Sequence, residues 1–187
     1  FLRTLMNHGM PHFENMGPRT PLITSTGERD RGHRDQLSWK HVELMRKLWK
    51  GKLVLKGVLN RHDARTAKHS GVDGIIVSNH GGRQLDGAPS SISMLPRIAG
   101  AVGSDLEVLF DGGVRTGADL MRALALGARA CLIGRSYVYG LGAGGQAGVA
   151  KAIDILAKEL SVTMALTGVG RVSDIDRRVL MDWEANR

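Results

Sequence analysis

Ser78-Asn79-His80-Gly81-Gly82-Arg83-Gln84-Leu85-Asp86 gathers chemistry-bearing side chains directly after an unbroken apolar run, Gly74-Ile75-Ile76-Val77. A run of that kind fits a strand covered on both faces, as in parallel α/β sheets, where chemistry collects at the strand's C-terminal end. His80 offers an imidazole, the side chain most often used for proton transfer. Three residues on, Arg83 offers a planar fork that grips a carboxylate with two hydrogen bonds. Gly81-Gly82 lets the backbone approach a ligand or take positive φ. The competing interpretation is a tight surface turn whose polar residues are incidental, with Asp86 a turn carboxylate rather than a partner orienting His80.

Three other apolar runs end in the same manner. Leu53-Val54-Leu55 closes on Lys56, Val108-Leu109-Phe110 on Asp111-Gly112-Gly113, and Ala130-Cys131-Leu132-Ile133 on Gly134-Arg135. A lysine ending a buried strand is costly unless an anion meets it or it reaches solvent. Gly112-Gly113 and Gly134 permit close backbone approach, and Arg115 or Arg135 supplies charge, so these two ends suggest a phosphate-type anion site. The other histidines, His8, His12, His33, His41, His62 and His69, lack partners at metal-ligand spacing, and no metal is expected.

The elements that must position these residues follow from periodicity. Ser38 is a candidate N-cap for a helix carrying Val42, Met45, Leu48 and Trp49 at helical spacing. A strand spans 52–57, and a helix runs from Asp63 to His69 with Gly71 at its C′ position. The strand at 74–78 precedes a helix over 90–102 with Ile92, Leu95, Ile98 and Val102 on one face. The strand ending at Asp111 leads to a helix opened by a Thr116–Asp119 capping box and closed by Gly127. After the strand at 130–133, a last helix is expected from about Gln146 to Leu160, with a short further one at Met164-Ala165-Leu166.

Gly71 to Ser78 and Gly127 to Gly134 share one grammar: a helix-ending glycine, a short link, and a strand closing on a small residue. Alternating strands and helices mean βαβ units and a parallel sheet. Four such strands are half of a (β/α)₈ barrel, which takes about 250 residues. A small open sheet is the alternative. Residues 1–37 are heavily punctuated by Gly and Pro and form a long, variable loop region, of the functional or mobile kind, before the domain at 38–187.

Composition narrows the class. The chain has 187 residues and a formal net charge of +8. Nucleic acid is the weakest partner for that charge, because no Lys/Arg block is interleaved with aromatics. Anionic lipid and acidic small molecules remain. No apolar run reaches the roughly 18 residues of a membrane span. The single cysteine, Cys131, excludes a disulfide framework and favours a reducing compartment. Phe1-Leu2-Arg3 begins without an initiator Met and reads as a cut end.

Leu53 to Gly57, Ser78 to Asp86, Asp111-Gly112-Gly113-Val114-Arg115, Ala123 to Ala128 and Ile133-Gly134-Arg135 together closely resemble the FMN-dependent L-2-hydroxy-acid dehydrogenase/oxidase family. The resemblance covers about Ser38 to Val179 and rests most on Ser-Asn-His-Gly-Gly-Arg-Gln-Leu-Asp. It implies the C-terminal half of an FMN-binding TIM (β/α)₈ barrel. It further implies His80 as the base that takes the substrate's proton and Arg83 as the carboxylate clamp. Lys56 and Ser78 would lie beside the flavin ring, while Asp111, Gly112, Gly113, Arg115, Gly134 and Arg135 would meet the ribityl and phosphate groups.

The substrate so implied is a small L-2-hydroxy acid of the lactate or mandelate type. Electrons would pass to a quinone or cytochrome, or in the oxidases to O₂. The first loop looks like the variable loop of membrane-associated bacterial L-lactate and mandelate dehydrogenases. That implies a cytoplasmic protein in peripheral contact with the inner face of the plasma membrane. A homo-oligomer is the family's habit. The family's first half, with its substrate-binding tyrosine and the aspartate paired with the catalytic histidine, has no counterpart in this sequence. The 187 residues alone are therefore expected to be inactive or nearly so, or to be a flavin- or phosphate-binding fragment.

Overall fold

Four parallel strands, paired in the order β1-β2-β3-β4, carry the described part of the chain. A computed structural model describes Met6 and residues 37–103 and 105–181. The chain divides after Ser38 into two compact units, and every strand of the sheet belongs to the second, Trp39–Arg187. The expected loop at 1–37 lies, but for Met6 and Leu37, outside the described residues. The elements alternate as α1 (Trp39–Leu48), β1 (Val54–Val58), α2 (Arg61–His69), β2 (Gly74–Val77), α3 (Ser91–Val102), β3 (Glu107–Asp111), α4 (Gly117–Ala125), β4 (Ala130–Leu132) and α5 (Arg135–Leu166).

Central strands and edge strands behave differently. All four residues of β2 are buried, as its unbroken apolar run requires. β1 and β4 each have one neighbour in the sheet, and most of their residues are half-buried or exposed. The expectation of buried strands therefore holds fully for β2, holds for Val108 and Phe110 in β3, and fails for most of β1 and all of β4. Ile75, Val77 and Phe110 meet Leu95, Ile98 and Val102 of α3 in the main core. Fully burying one such side chain is worth about 1.5–3 kcal/mol. The exposed Lys68–Asp105 pair is worth at most about 1 kcal/mol. Apolar burial decides the stability of this sheet.

Helix signals in the sequence are met locally. Asn60 caps α2 by accepting from the His62 N–H at 2.7 Å, and the left-handed Gly71 (φ 76°) sits at its C′ position. The Thr116–Asp119 capping box forms with both reciprocal bonds. In α1 only Val42 is buried; Met45, Leu48 and, just past the helix end, Trp49 are exposed, against the expected apolar face.

The final helix departs most from expectation. It begins at Arg135, directly after β4, bends at Gly144 and Gly145, and continues unbroken through Met164–Leu166. Its five interior glycines disguise the first segment, because glycine is a poor helix former. Gly140 and Gly148 explain part of that composition. A Cβ on either would collide with the other's backbone, so the two segments pack main chain to main chain.

Asp73 ties the sheet together at the end opposite the polar strand ends. Its carboxylate accepts from Lys52 Nζ at 2.8 Å, the Leu53 N–H at 2.9 Å and Arg46 Nη1 at 3.0 Å. The Lys52 bond, with the Leu53 N–H beside it, lowers its pKa from 3.8 to about 2. Cys131 is partly buried against the core, and burial pushes its thiol up to about 11. It is the small apolar residue that its sequence context suggested.

Candidate active site

Because the strands are parallel, their C-terminal ends open on one side, where a cleft of about 1050 Å³ forms. Lys56, His80, Arg83, Asp111, Gly112, Gly113, Arg115, Gly134 and Arg135 all line it. Ser78, the remaining residue singled out in the sequence, is wholly buried beneath them. An adjoining cavity of about 280 Å³ shares Gly81, Gly112, Gly113 and Arg135.

The floor is a closed polar network. Ser78 Oγ donates to Asp111 Oδ1 at 2.6 Å and accepts from Lys56 Nζ at 2.9 Å and from the His80 N–H at 3.1 Å. A hydroxyl has one proton and two lone pairs, so Ser78 is saturated. Lys56 also lies 3.3 Å from Asp111 Oδ2. The lysine whose burial looked costly thus pairs with a carboxylate while 39 % of its side chain faces the cleft. Lys56 is not the last residue of its strand, since β1 continues through Gly57 to Val58. Its register with β2 slips there: Lys56 pairs Ile76 and Val58 pairs Val77, leaving Gly57 as the extra residue of a bulge.

Above the floor stands His80. It opens a 3₁₀ turn, His80–Gly82, in which three successive residues are left-handed, at φ 56°, 71° and 72°. His80 is the only non-glycine residue with positive φ among those described. Such strained backbone persists only where its surroundings fix it, and it concentrates at functional sites. Gly82 N–H returns to the Asn79 carbonyl at 3.0 Å and closes the turn. Asp86 does not approach His80; it accepts from the Gly87 N–H in an exposed turn.

The cationic side is built from the last two strand ends. Gly112 (φ 114°) and Gly113 (φ 84°) turn the chain sharply after Asp111. A Cβ at Gly112 would lie 2.5 Å from the buried hydroxyl of Ser91, whereas one at Gly113 would meet nothing within 4 Å. Ser91 Oγ accepts from the Asn79 N–H at 3.3 Å and so ties the loop after β2 to the start of α3. Asp119 accepts from the backbone N–H groups of Arg115 and Thr116, each at 3.1 Å, fixing the path of Arg115. Gly134 precedes α5 without a side-chain cap, leaving the first N–H groups of that helix without one. Among the described residues, the guanidinium groups of Arg83, Arg115 and Arg135 form no ion pair. Together they leave unpaired positive charge along the cleft.

Sequence reasoning missed Ser91, Gly57 and the aromatic wall of Tyr137 and Tyr139, which also line or support this region. Ser91 carries no motif signal beyond its place beside the N-cap Ser90. The tyrosines were hidden because the helix bearing them was not expected.

The chain matches the model of a family described as FMN-dependent dehydrogenase over residues 7–182. It is 54% identical to an L-lactate dehydrogenase of Stenotrophomonas maltophilia (strain K279a) over 145 residues, covering 78% of this chain and 38% of that protein. It is 49% identical over 166 residues to an L-lactate dehydrogenase of Pseudomonas syringae pv. syringae (strain B728a), covering 89% and 44%. Among solved structures, mandelate oxidase with benzoyl-formic acid superposes with a TM-score of 0.73 at 47% identity, over 75% of this chain and 42% of that one. A mandelate oxidase mutant with a monooxide FMN adduct gives the same score and identity, over 75% and 45%. The chain spans less than half the length of these relatives.

Proposed function

The chain belongs to the FMN-dependent dehydrogenase family, and from that membership we propose that it supplies the flavin- and substrate-binding C-terminal half of an L-2-hydroxy-acid dehydrogenase. Its four βα units are part of an α/β barrel of the TIM type. In this proposal residues 38–187 are that half-barrel and residues 1–37 a variable loop region preceding it.

The residues present suit FMN. A ribityl phosphate needs close N–H donors and positive charge, which Gly112, Gly113, the start of α5, Arg115 and Arg135 offer around an open cleft. Nothing obstructs the backbone at Gly113 or Gly134. Asp111 is fixed by Ser78 and Lys56, and so can present its carboxylate to the ribityl hydroxyls. When bound, FMN supplies the acceptor for the two electrons that leave the hydroxy acid.

This chain's own residues do the rest. Arg83 holds the substrate carboxylate with its planar fork and so orients the adjacent carbinol. His80 accepts the substrate's proton on an imidazole nitrogen. The Lys56 amine places positive charge at the cleft floor, where negative charge would gather as electrons arrive. The observation that carries the proposal is the convergence of His80 and Arg83, from one loop, over the Lys56–Ser78–Asp111 floor.

The experiment is His80→Ala in the full-length flavoprotein containing this chain, mixed anaerobically with L-lactate or L-mandelate. Flavin absorbance should stay unbleached while FMN remains bound. A variant that bleaches at the wild-type rate would remove His80 from the role. The two substrates tested on the unmutated protein identify the hydroxy acid.

The dehydrogenase proposal includes a quinone or cytochrome as electron acceptor. A second reading, an oxidase passing electrons to O₂, is favoured by the 47% identity to mandelate oxidase. Reoxidation of the reduced flavin by O₂ against a quinone separates them. A net charge of +8 supports peripheral attraction to anionic membrane in a cytoplasmic protein, and a homo-oligomer is proposed for the full-length protein. Among the described residues no helix is long and apolar enough to cross a membrane.

A further inference from the structure

His80 is held from two sides by groups that have no part in proton transfer themselves. Its backbone, left-handed at φ 56°, is tethered through its N–H to the buried Ser78 hydroxyl at 3.1 Å. Its ring lies against Gly57 in the bulge of β1. A Cβ built on Gly57 would stand 2.5 Å from His80 Nε2, 3.1 Å from Cε1 and 3.6 Å from Cδ2. Gly57 has φ 99°, a conformation that L side chains rarely adopt. The bulge therefore does two things in consecutive residues. Lys56 sends its amine to Ser78, and Gly57 leaves the space that the imidazole fills.

Resting on the assignment of His80 as the base, we propose that Gly57 is a positioning residue: the missing side chain in the β1 bulge is the seat of the His80 imidazole. A β carbon there would drive the ring off the strand and out of line with a substrate held by Arg83. The backbone tether from Ser78 would remain, so the ring would move while the loop stayed in place. Misplacement of a reacting group by about 1 Å costs on the order of 10²-fold in rate.

The test compares Gly57→Ala and Gly57→Asn in the full-length flavoprotein. Asparagine is found at positive φ more often than alanine and still carries the β carbon. Both variants should retain FMN, lose about 10²-fold in kcat with little change in KM, and shift the pH profile of kcat/KM. Full turnover and an unchanged profile in Gly57→Asn would overturn the proposal, because backbone strain alone would then explain any loss in Gly57→Ala.

A thermal-denaturation cycle decides the matter even where the variants are unstable. Gly57→Ala should lower the Tm much less in a His80→Ala background, where the colliding ring is gone, than beside His80. Equal losses in both backgrounds, or failure to fold in both, would overturn it. Should His80→Ala itself turn over normally, the assigned base is wrong. Should it be inactive while Gly57→Asn is normal, only the seat is wrong.

Discussion

Ser78 and Asp111 are joined by a 2.6 Å hydrogen bond between the ends of neighbouring strands β2 and β3. The serine is fully buried, while Asp111 keeps 22 % of its side chain exposed toward the cleft. The bond fixes a carboxylate that faces the cleft to a hydroxyl that also holds Lys56 and the His80 backbone.

Ser78→Ala removes one donor and two acceptances at once. The Asp111 oxygen, the lysine amine and the His80 N–H all lose a partner near the floor of the cleft. Leaving such groups unsatisfied costs about 1–3 kcal/mol. Urea denaturation of the variant should show a loss in that range, accompanied by weaker FMN binding in a fluorescence titration. Unchanged stability would mean that water replaces the hydroxyl.

Arg83→Lys keeps the charge and discards the fork. A point charge cannot reproduce the two parallel bonds to a carboxylate. Steady-state kinetics on the full-length protein should show a higher KM for the hydroxy acid and a lower kcat. FMN affinity should be untouched, because in this proposal Arg83 holds the substrate carboxylate and not the phosphate.

Gly112→Ala and Gly113→Ala should fail in different ways. Alanine at Gly112 meets left-handed strain and the Ser91 hydroxyl together, so its main effect is a fall in Tm. Alanine at Gly113 meets only the strain, about 1–2 kcal/mol, and projects into open space at the cleft. Gly113→Ala should therefore lose more FMN affinity for each degree of Tm lost. Parallel losses in both properties would contradict this division.

Asp73 makes stability depend on acid. Its folded pKa, about 2, lies below its ordinary 3.8, so the ionised form is favoured by folding. Its contribution is present above about pH 4 and is lost as pH falls toward 2. Asp73→Asn should be less stable at neutral pH and show a shallower decline of stability between pH 4 and 2. Identical slopes in the two proteins would show that Lys52 and Leu53 hold the carboxylate no better than water does.

How much of this was legible in the sequence depended on where each signal is generated. The β2 run, the α3 face and the Thr116–Asp119 box are local patterns, and each formed as its spacing requires. The cleft was legible for a global reason: parallel strands put all their C-terminal ends together, so polar strand ends from Lys56 to Arg135 had to meet. The exposure of β1 and β4 was not legible, because an apolar run does not state how many neighbours its strand has. Nor was the Gly57 bulge, since a glycine after a lysine signals flexibility without saying what fills the vacated space. Asp73 passed as a link residue; its partners Arg46 and Lys52 come from an earlier helix and loop.

The contact between Gly140 and Gly148 reaches further than its own neighbourhood. The first segment of α5 begins at Arg135 on the cleft and meets this contact at Gly140, before the bend at Gly144, so one short rod links the two places. Backbone touching backbone leaves no compressible side chain to absorb an insertion. Enlarging either glycine would therefore tilt the rod and carry Gly134 and Arg135 with it. Two residues with no polar side chain thereby set the angle at which Gly134 and Arg135 meet the cleft.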